Sequence, residues 1–189
     1  AATGVSRSGK GDGPGVDRWQ TPDQLDFSGH SAVINLAGEP INQRWTEESR
    51  KRFRESRVDF TRKVVAAIGR LPEHDRPRVL VSGSAVGFYG DRGDEFLTEE
   101  APAGSDFLAV LCRDWEDAAG EAGALGVRVV TLRTGVVLGK GGDAFEQLRK
   151  VFRLGVGGRL GDGRQWMPWF HIDDLPAALL LSRRGQLAH

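Results

Sequence analysis

Apolar residues recur along this chain in two alternating rhythms. Short unbroken runs, Ser31–Leu36, Val79–Val81 and Val127–Leu132, read as strands of a parallel sheet, whose two faces are both covered. Ala1–Ser6 reads as the end of another strand. Longer stretches lie between them. From Thr46 to Arg70, Phe53, Phe60, Val64 and Ile68 recur at intervals of seven and four, which is one face of a helix. Thr46 suits the N-cap, and Glu47 and Glu48 suit the positive end of the helix dipole. Asp106–Gly123 predicts a second helix, with Phe107, Leu111, Trp115 and Ala118 as its stripe. Ala144–Leu154 and Asp173–Arg184 predict two shorter helices. Strands alternating with helices predict an α/β fold, a doubly wound parallel sheet with helices on both faces.

The punctuation is glycine-rich. Arg7–Gly15 and Gly155–Gly163 are too rich in glycine for regular structure. Asp17–Gly29 is polar with Trp19, Leu25 and Phe27, and reads as a short helix under the sheet. Asp91–Ser105 and the end of Thr134–Gly142 read as loops. The stretch around which the chain is organised is Val79–Gly90. Its apolar strand breaks at Val81 into Ser82, Gly83, Ser84 and Ala85. Small residues there let backbone and hydroxyls approach a ligand, and ligands of open α/β sheets sit beyond the carboxyl ends of the strands. Ser84 and Tyr89 are thereby expected to face the ligand crevice.

Composition narrows the partners. The 189 residues suffice for one sizeable core. Lys plus Arg and Asp plus Glu each number 26, a net charge of zero, which gives no electrostatic case for nucleic acid or an anionic membrane. No apolar run reaches bilayer length. Ala1–Lys10 lacks the pattern of a signal peptide, and without an initiator Met the chain reads as starting mid-domain. The single cysteine, Cys112, excludes an internal disulfide and fits a reducing compartment, read here as the cytoplasm. No metal site is assigned.

Four constellations carry candidate chemistry. Ser6-Arg7 follows a strand. At the end of the second strand of a dinucleotide-binding fold, a carboxylate binds ribose hydroxyls and an Arg accommodates a 2′-phosphate; a plain surface Arg is the alternative. Asn35–Pro40 ends a strand in Ala37-Gly38, which permits close backbone approach or simply a tight turn. Ser84 with Tyr89 can polarise a carbonyl and pass a proton, or be a turn cap and a packed ring. Pro168–Asp174 contains His171, Asp173 and Asp174; the bland reading, that a carboxylate N-caps the following helix, is preferred. Cys112 lies mid-helix with no base nearby in sequence.

Together the quoted pieces resemble the extended short-chain dehydrogenase/reductase superfamily, the NAD(P)-dependent epimerase/dehydratases, and within it the atypical YfcH-like epimerase family proteins. The pieces are Val33–Ile41, Arg44-Trp45, Ser56-Arg57, Ser82–Ala85, Phe88–Gly90, Trp115-Glu116, Leu132–Leu138 and Pro168–Asp174. The resemblance covers nearly the whole chain and implies a Rossmann-like domain, with 155–172 on the substrate side. It implies that Ser6, Arg7, Leu36, Ala37, Gly38, Arg57, Ser82 and Val137 line a site for NADP(H). It puts Ser84 at the superfamily's catalytic Ser or Thr, and it implies a small, sugar-like substrate and a homodimer formed through the two long helices.

Three departures qualify it. The superfamily's first strand and glycine-rich turn would lie upstream of Ala1, so the domain is expected to be N-terminally incomplete, with unpaired central edges. Leu108 and Cys112 stand where the Tyr-x-x-x-Lys pair would be, counted back from Glu116. This leaves Tyr89, the single tyrosine, as the phenol for acid chemistry. The chain also ends before a C-terminal substrate region. A non-catalytic NADP(H)-binding or redox-sensing module, or an inactive fragment, is the alternative.

Overall fold

The structure, a computed structural model, describes residues 1–159 and 161–185. They form two compact units: Ala1–Ser82 with Asp114–Thr131, and Gly83–Arg113 with the chain from Leu132 onwards.

The first unit contains a two-stranded parallel sheet and most of a three-stranded one. In one, β1 (Thr3–Val5) pairs with β2 (Arg18–Gln20), Gly4 opposite Trp19. The helix expected over Asp17–Gly29 is therefore absent. A three-residue strand has no periodicity to read; it forms because β1 offers it a ladder. The Trp19 ring lies so close over Gly4 and Gly11 that a Cβ there would stand 2.6 and 2.4 Å from it. Leu25 and Phe27 still reach the core.

The other sheet has the order β3-β4-β5. β3 is Ala32–Asn35, with Asn35 opposite Ser82 of β4. β4 runs from Val79 to Ala85 and is buried up to Ser84, so the small residues from Ser82 do not end the strand as expected. A central strand is hydrogen-bonded on both edges, and its covered faces accept small side chains as readily as large ones. β5 is Arg128–Thr134.

Glu47–Arg54 is α1, capped by Thr46, whose hydroxyl accepts from Ser49 N–H while the Ser49 hydroxyl accepts from Thr46 N–H. Phe60–Gly69 is α2. One turn of π-helix, Glu55–Asp59, joins them. This changes the buried stripe: Thr61, eight residues after Phe53, is fully buried, whereas Phe60, seven after it, is half-buried. The wider π turn takes one extra residue and advances the phase of everything beyond it. Val64, Val65 and Ile68 meet Val33, Leu80 and Val127 in the core.

α3 (Phe107–Gly120) buries Leu111, Trp115 and Ala118 as expected. In the second unit, β4 runs into a 3-10 turn, Val86–Tyr89. Thr134–Gly142 is not all loop: Val136–Leu138 forms β6, parallel to β7 (Trp169–His171), Val137 opposite Phe170. Gly135 lets the Pro168 backbone pass, since a Cβ there would be 2.5 Å from its carbonyl oxygen. α4 (Asp143–Arg153) and α5 (Asp174–Arg184) occupy the predicted stretches. Gly155–Gly163 forms no helix or strand through its described residues; Leu160 lies outside them.

Candidate functional site

β1 and β3 are edges of separate sheets, and a cleft of ≈ 1060 Å³ is lined by both. Ser6, Arg7, Leu36, Ala37 and Gly38 are on its wall, at the carboxyl ends of the two strands, with Glu39, Arg52 and Ser56 beside them. Ile34 and Leu36 are 47% and 50% exposed, so the wall offers apolar as well as polar surface. Of the eight residues implied for a nucleotide, five line this cleft. Arg57 lies behind it, Ser82 is wholly buried in β4, and Val137 is on β6 of the second unit.

The loop after β3 is held from below. Buried Thr61 accepts from Asn35 Nδ2 at 2.8 Å and from Trp115 Nε1 at 3.0 Å. Asn35 Oδ1 in turn accepts from Ala37 N–H at 3.2 Å. Two residues of the π turn hold the next segment. Glu39 N–H donates to Ser56 Oγ at 2.9 Å, and Arg57 Nη2 donates to the Glu39 carbonyl at 3.0 Å. The Arg57 guanidinium also stands 5.4 Å from the Trp115 ring centroid. Gly38 runs against it, a Cβ there falling 3.0 Å from the guanidinium carbon. Arg57 is thus the clamp of this loop, and the π turn places it; sequence spacing alone shows no such turn.

Ser6 is committed to its own loop, where its Oγ donates to the Lys10 carbonyl at 2.7 Å and accepts from Lys10 N–H at 3.1 Å. Arg7 makes no ion pair among the described residues, whereas Arg52 is met by Glu39 at 3.7 Å. The cleft therefore has a cation, small-residue backbone and an apolar wall, a donor set that fits an anionic, partly aromatic ligand. Two carboxylates are held below their ordinary range, but neither lines the cleft. Asp26 accepts from Ser28 N–H and hydroxyl, and Glu146 from Arg149 and Gly141 N–H.

In the second unit, Ser84 is buried near the end of β4, and its carbonyl accepts from Thr134 Oγ1 at 3.2 Å. Tyr89 ends the following turn, its Oη accepting from Arg133 Nη1 at 3.0 Å. Sequence marks Arg133 only as part of Leu132–Leu138. His171 and Asp173 pair with each other, Nδ1 to Oδ2 at 3.4 Å. No side-chain cap bond is present at the start of α5, so the capping role expected for Asp173 or Asp174 is not realised. Cys112 is buried and forms no disulfide. No group of metal-ligating side chains occurs among the described residues, and none of their helices is long and apolar enough to cross a membrane.

The model of the NAD dependent epimerase/dehydratase family matches residues 21–185. The chain is 47% identical over 147 residues to the epimerase family protein SDR39U1 homolog, chloroplastic, of Arabidopsis thaliana, covering 78% of this chain and 42% of that protein. It superposes on the crystal structure of human epimerase family protein SDR39U1 (isoform2) with NADPH at a TM-score of 0.82 and 35% identity, covering 98% of this chain and 62% of that one. The nucleoside-diphosphate sugar epimerase from Corynebacterium glutamicum gives a TM-score of 0.75 at 38% identity, covering 90% and 36%. The chain thus spans about half the length of the relatives it matches, and the fold is the doubly wound, Rossmann-like α/β one.

Proposed function

Because this chain belongs to the NAD dependent epimerase/dehydratase family, we propose that it binds NADP(H) and serves a dehydrogenase- or epimerase-type reaction on a small, sugar-like substrate. The observation that carries the reading is the cleft between β1 and β3, with Arg7 at its edge and no carboxylate in Arg7's place. A fixed cation favours a 2′-phosphate that a carboxylate would repel. The human relative's crystal form with NADPH supports the same choice.

Arg7 would hold the phosphate, and Ser6 would join it by exchanging its bond to the Lys10 carbonyl; Leu36, Ala37 and Gly38 would present backbone and apolar surface to the nucleoside. Arg57 would keep that loop in place, and Ser82 and Val137 complete the implied set. The nicotinamide, when bound, supplies or accepts a hydride. Ser84 would hydrogen-bond the substrate's carbonyl or hydroxyl, and Tyr89 would give or take its proton. Cytoplasmic residence fits the buried, undisulfided thiol of Cys112, and a homodimer through α1, α2 and α3 is part of the reading, to be checked by sedimentation.

NADPH binding followed by its own fluorescence tests the cofactor assignment. R7A is expected to weaken NADPH about tenfold or more, the loss of one charge-assisted contact, and to leave NADH unaltered. Equal loss for both nucleotides overturns the 2′-phosphate role. A second reading, an NADP(H)-binding module without hydride transfer, is favoured by Leu108 and by the buried Cys112 on α3, where the family's pattern has Tyr and Lys. S84A and Y89F separate the two. If NADPH oxidation across sugar-nucleotide and small carbonyl substrates falls about a hundredfold or more, the catalytic roles stand. If no substrate is turned over by the native chain while NADPH binds, the module reading stands.

A further inference from the structure

We propose that Arg133 positions the phenol of Tyr89, fixing which way its proton can go and offsetting charge on Oη as that proton leaves. The inference rests on the reading of Tyr89 as proton donor, and all its parts lie in the second unit.

Arg133 is the penultimate residue of β5. Its Nη1 donates to Tyr89 Oη at 3.0 Å and to the Glu99 carbonyl at 2.8 Å. Its guanidinium carbon stands 3.5 Å from the Phe88 ring centroid and 5.1 Å from that of Tyr89. The planar cation is thereby fixed by a ring face, a carbonyl and a phenol, and cannot swing without losing all three. The turn bearing Tyr89 is fixed as well: Gly104 N–H donates to the Phe88 carbonyl at 2.9 Å.

The donor inventory sets the direction. A guanidinium has five N–H donors, no acceptor, and keeps its charge. At this contact the phenol oxygen is therefore the acceptor, and its O–H bond points elsewhere. When Oη gives its proton to a substrate oxygen, the O–H electron pair stays on Oη. The negative charge so formed lies next to a cation that needs no rearrangement to meet it. Arg133 itself neither gains nor loses a proton. Cys112, at the position where the family's pattern has its lysine, carries no positive charge; Arg133 brings one to the phenol by another route.

Tyr89 is the single tyrosine, so tyrosine labelled with 13C at Cζ gives one resonance that reads its phenol directly. R133M is expected to displace that resonance and to lower turnover about tenfold or more, the loss of a charge-assisted hydrogen bond, with NADPH affinity unchanged. R133K, which keeps a charged donor, is expected to stay near the native resonance. R133Q keeps a donor without charge and is expected between the two; it carries the test if R133M does not fold. A resonance unmoved in R133M and R133Q overturns the proposal. So does equal displacement in R133K and R133M with loss of NADPH binding, which marks a merely structural residue. Y89F distinguishes the failures: turnover unchanged in Y89F removes the proton-donor reading and this inference with it. An inactive Y89F beside an unmoved R133M resonance removes Arg133's part alone.

Discussion

Two helical regions carry apolar residues at the same three- and four-residue spacing and end differently. Along α1, the π turn and α2, Phe53 and Ile68 are fully buried and Val64 nearly so. Along α4, Phe145, Leu148 and Val151 are 37–42% exposed, Phe152 is 65% exposed, and no residue is buried. The pattern specifies a helix in both places. Burial is not a property of the pattern; it depends on a second surface, which the sheet supplies for α2. Charge follows the same division. Arg54 and Arg62 of the first region reach Asp114 and Glu121, about sixty residues away, whereas Arg149 of α4 reaches Glu146 on its own helix.

Substitution should separate the two regions. Phe53→Ala leaves a cavity in a closed core and should cost about 3–5 kcal/mol in urea denaturation, while Phe152→Ala should stay within about 0.5 kcal/mol. Equal effects would mean that the α4 stripe is covered in solution. Thr61→Val keeps the shape but strands Asn35 Nδ2 and Trp115 Nε1, a loss of about 1–3 kcal/mol. Because Asn35 holds Ala37, faster amide exchange at Ala37 should accompany it. Thr46→Ala removes a capping box and should cost about 1 kcal/mol. Asp173→Ala, at a helix start without a cap bond, should change stability by less than about 0.5 kcal/mol.

The smallest effect concerns pH. Arg149 and the Gly141 N–H hold the Glu146 carboxyl below its ordinary value. A depressed carboxylate stabilises the folded state above the unfolded group's pKa, and that contribution disappears as pH falls through the lower, folded one. Protection of the Gly141 amide should therefore persist at neutral pH and fade only below the usual carboxylate range. Glu146→Gln should have reduced protection and no such pH dependence.

Much of this was legible in the residues. Thr46 announced its helix because capping is local. Val79–Val81 and Ser31–Leu36 announced strands by their apolar runs, although only the first is covered on both faces, Ile34 of the second being half exposed. What escaped was set by distant partners. Arg18–Gln20 is a strand only because β1 lies beside it, and Val136–Leu138 only because Trp169–His171 does. The cleft was half legible. Arg7, Leu36, Ala37 and Gly38 follow strands and could be named from that. Arg52 and Ser56 are brought there by the turn of the helix, and Arg133 reaches Tyr89 across forty-four residues; no local spacing encodes either.

The π turn at Glu55–Asp59 makes length in this segment a quantity the fold counts. Winding Glu55–Asp59 as ordinary α-helix with no residue removed would rotate every later position by about 100°. Phe60 would swing into the place of Thr61, and Thr61 would leave Asn35. Downstream of Phe53 the chain behaves like a message with one inserted letter, legible only while the wider turn absorbs it. A further inserted residue should be intolerable here, because the wider turn already absorbs one, although no side chain in the turn except Val58 is buried.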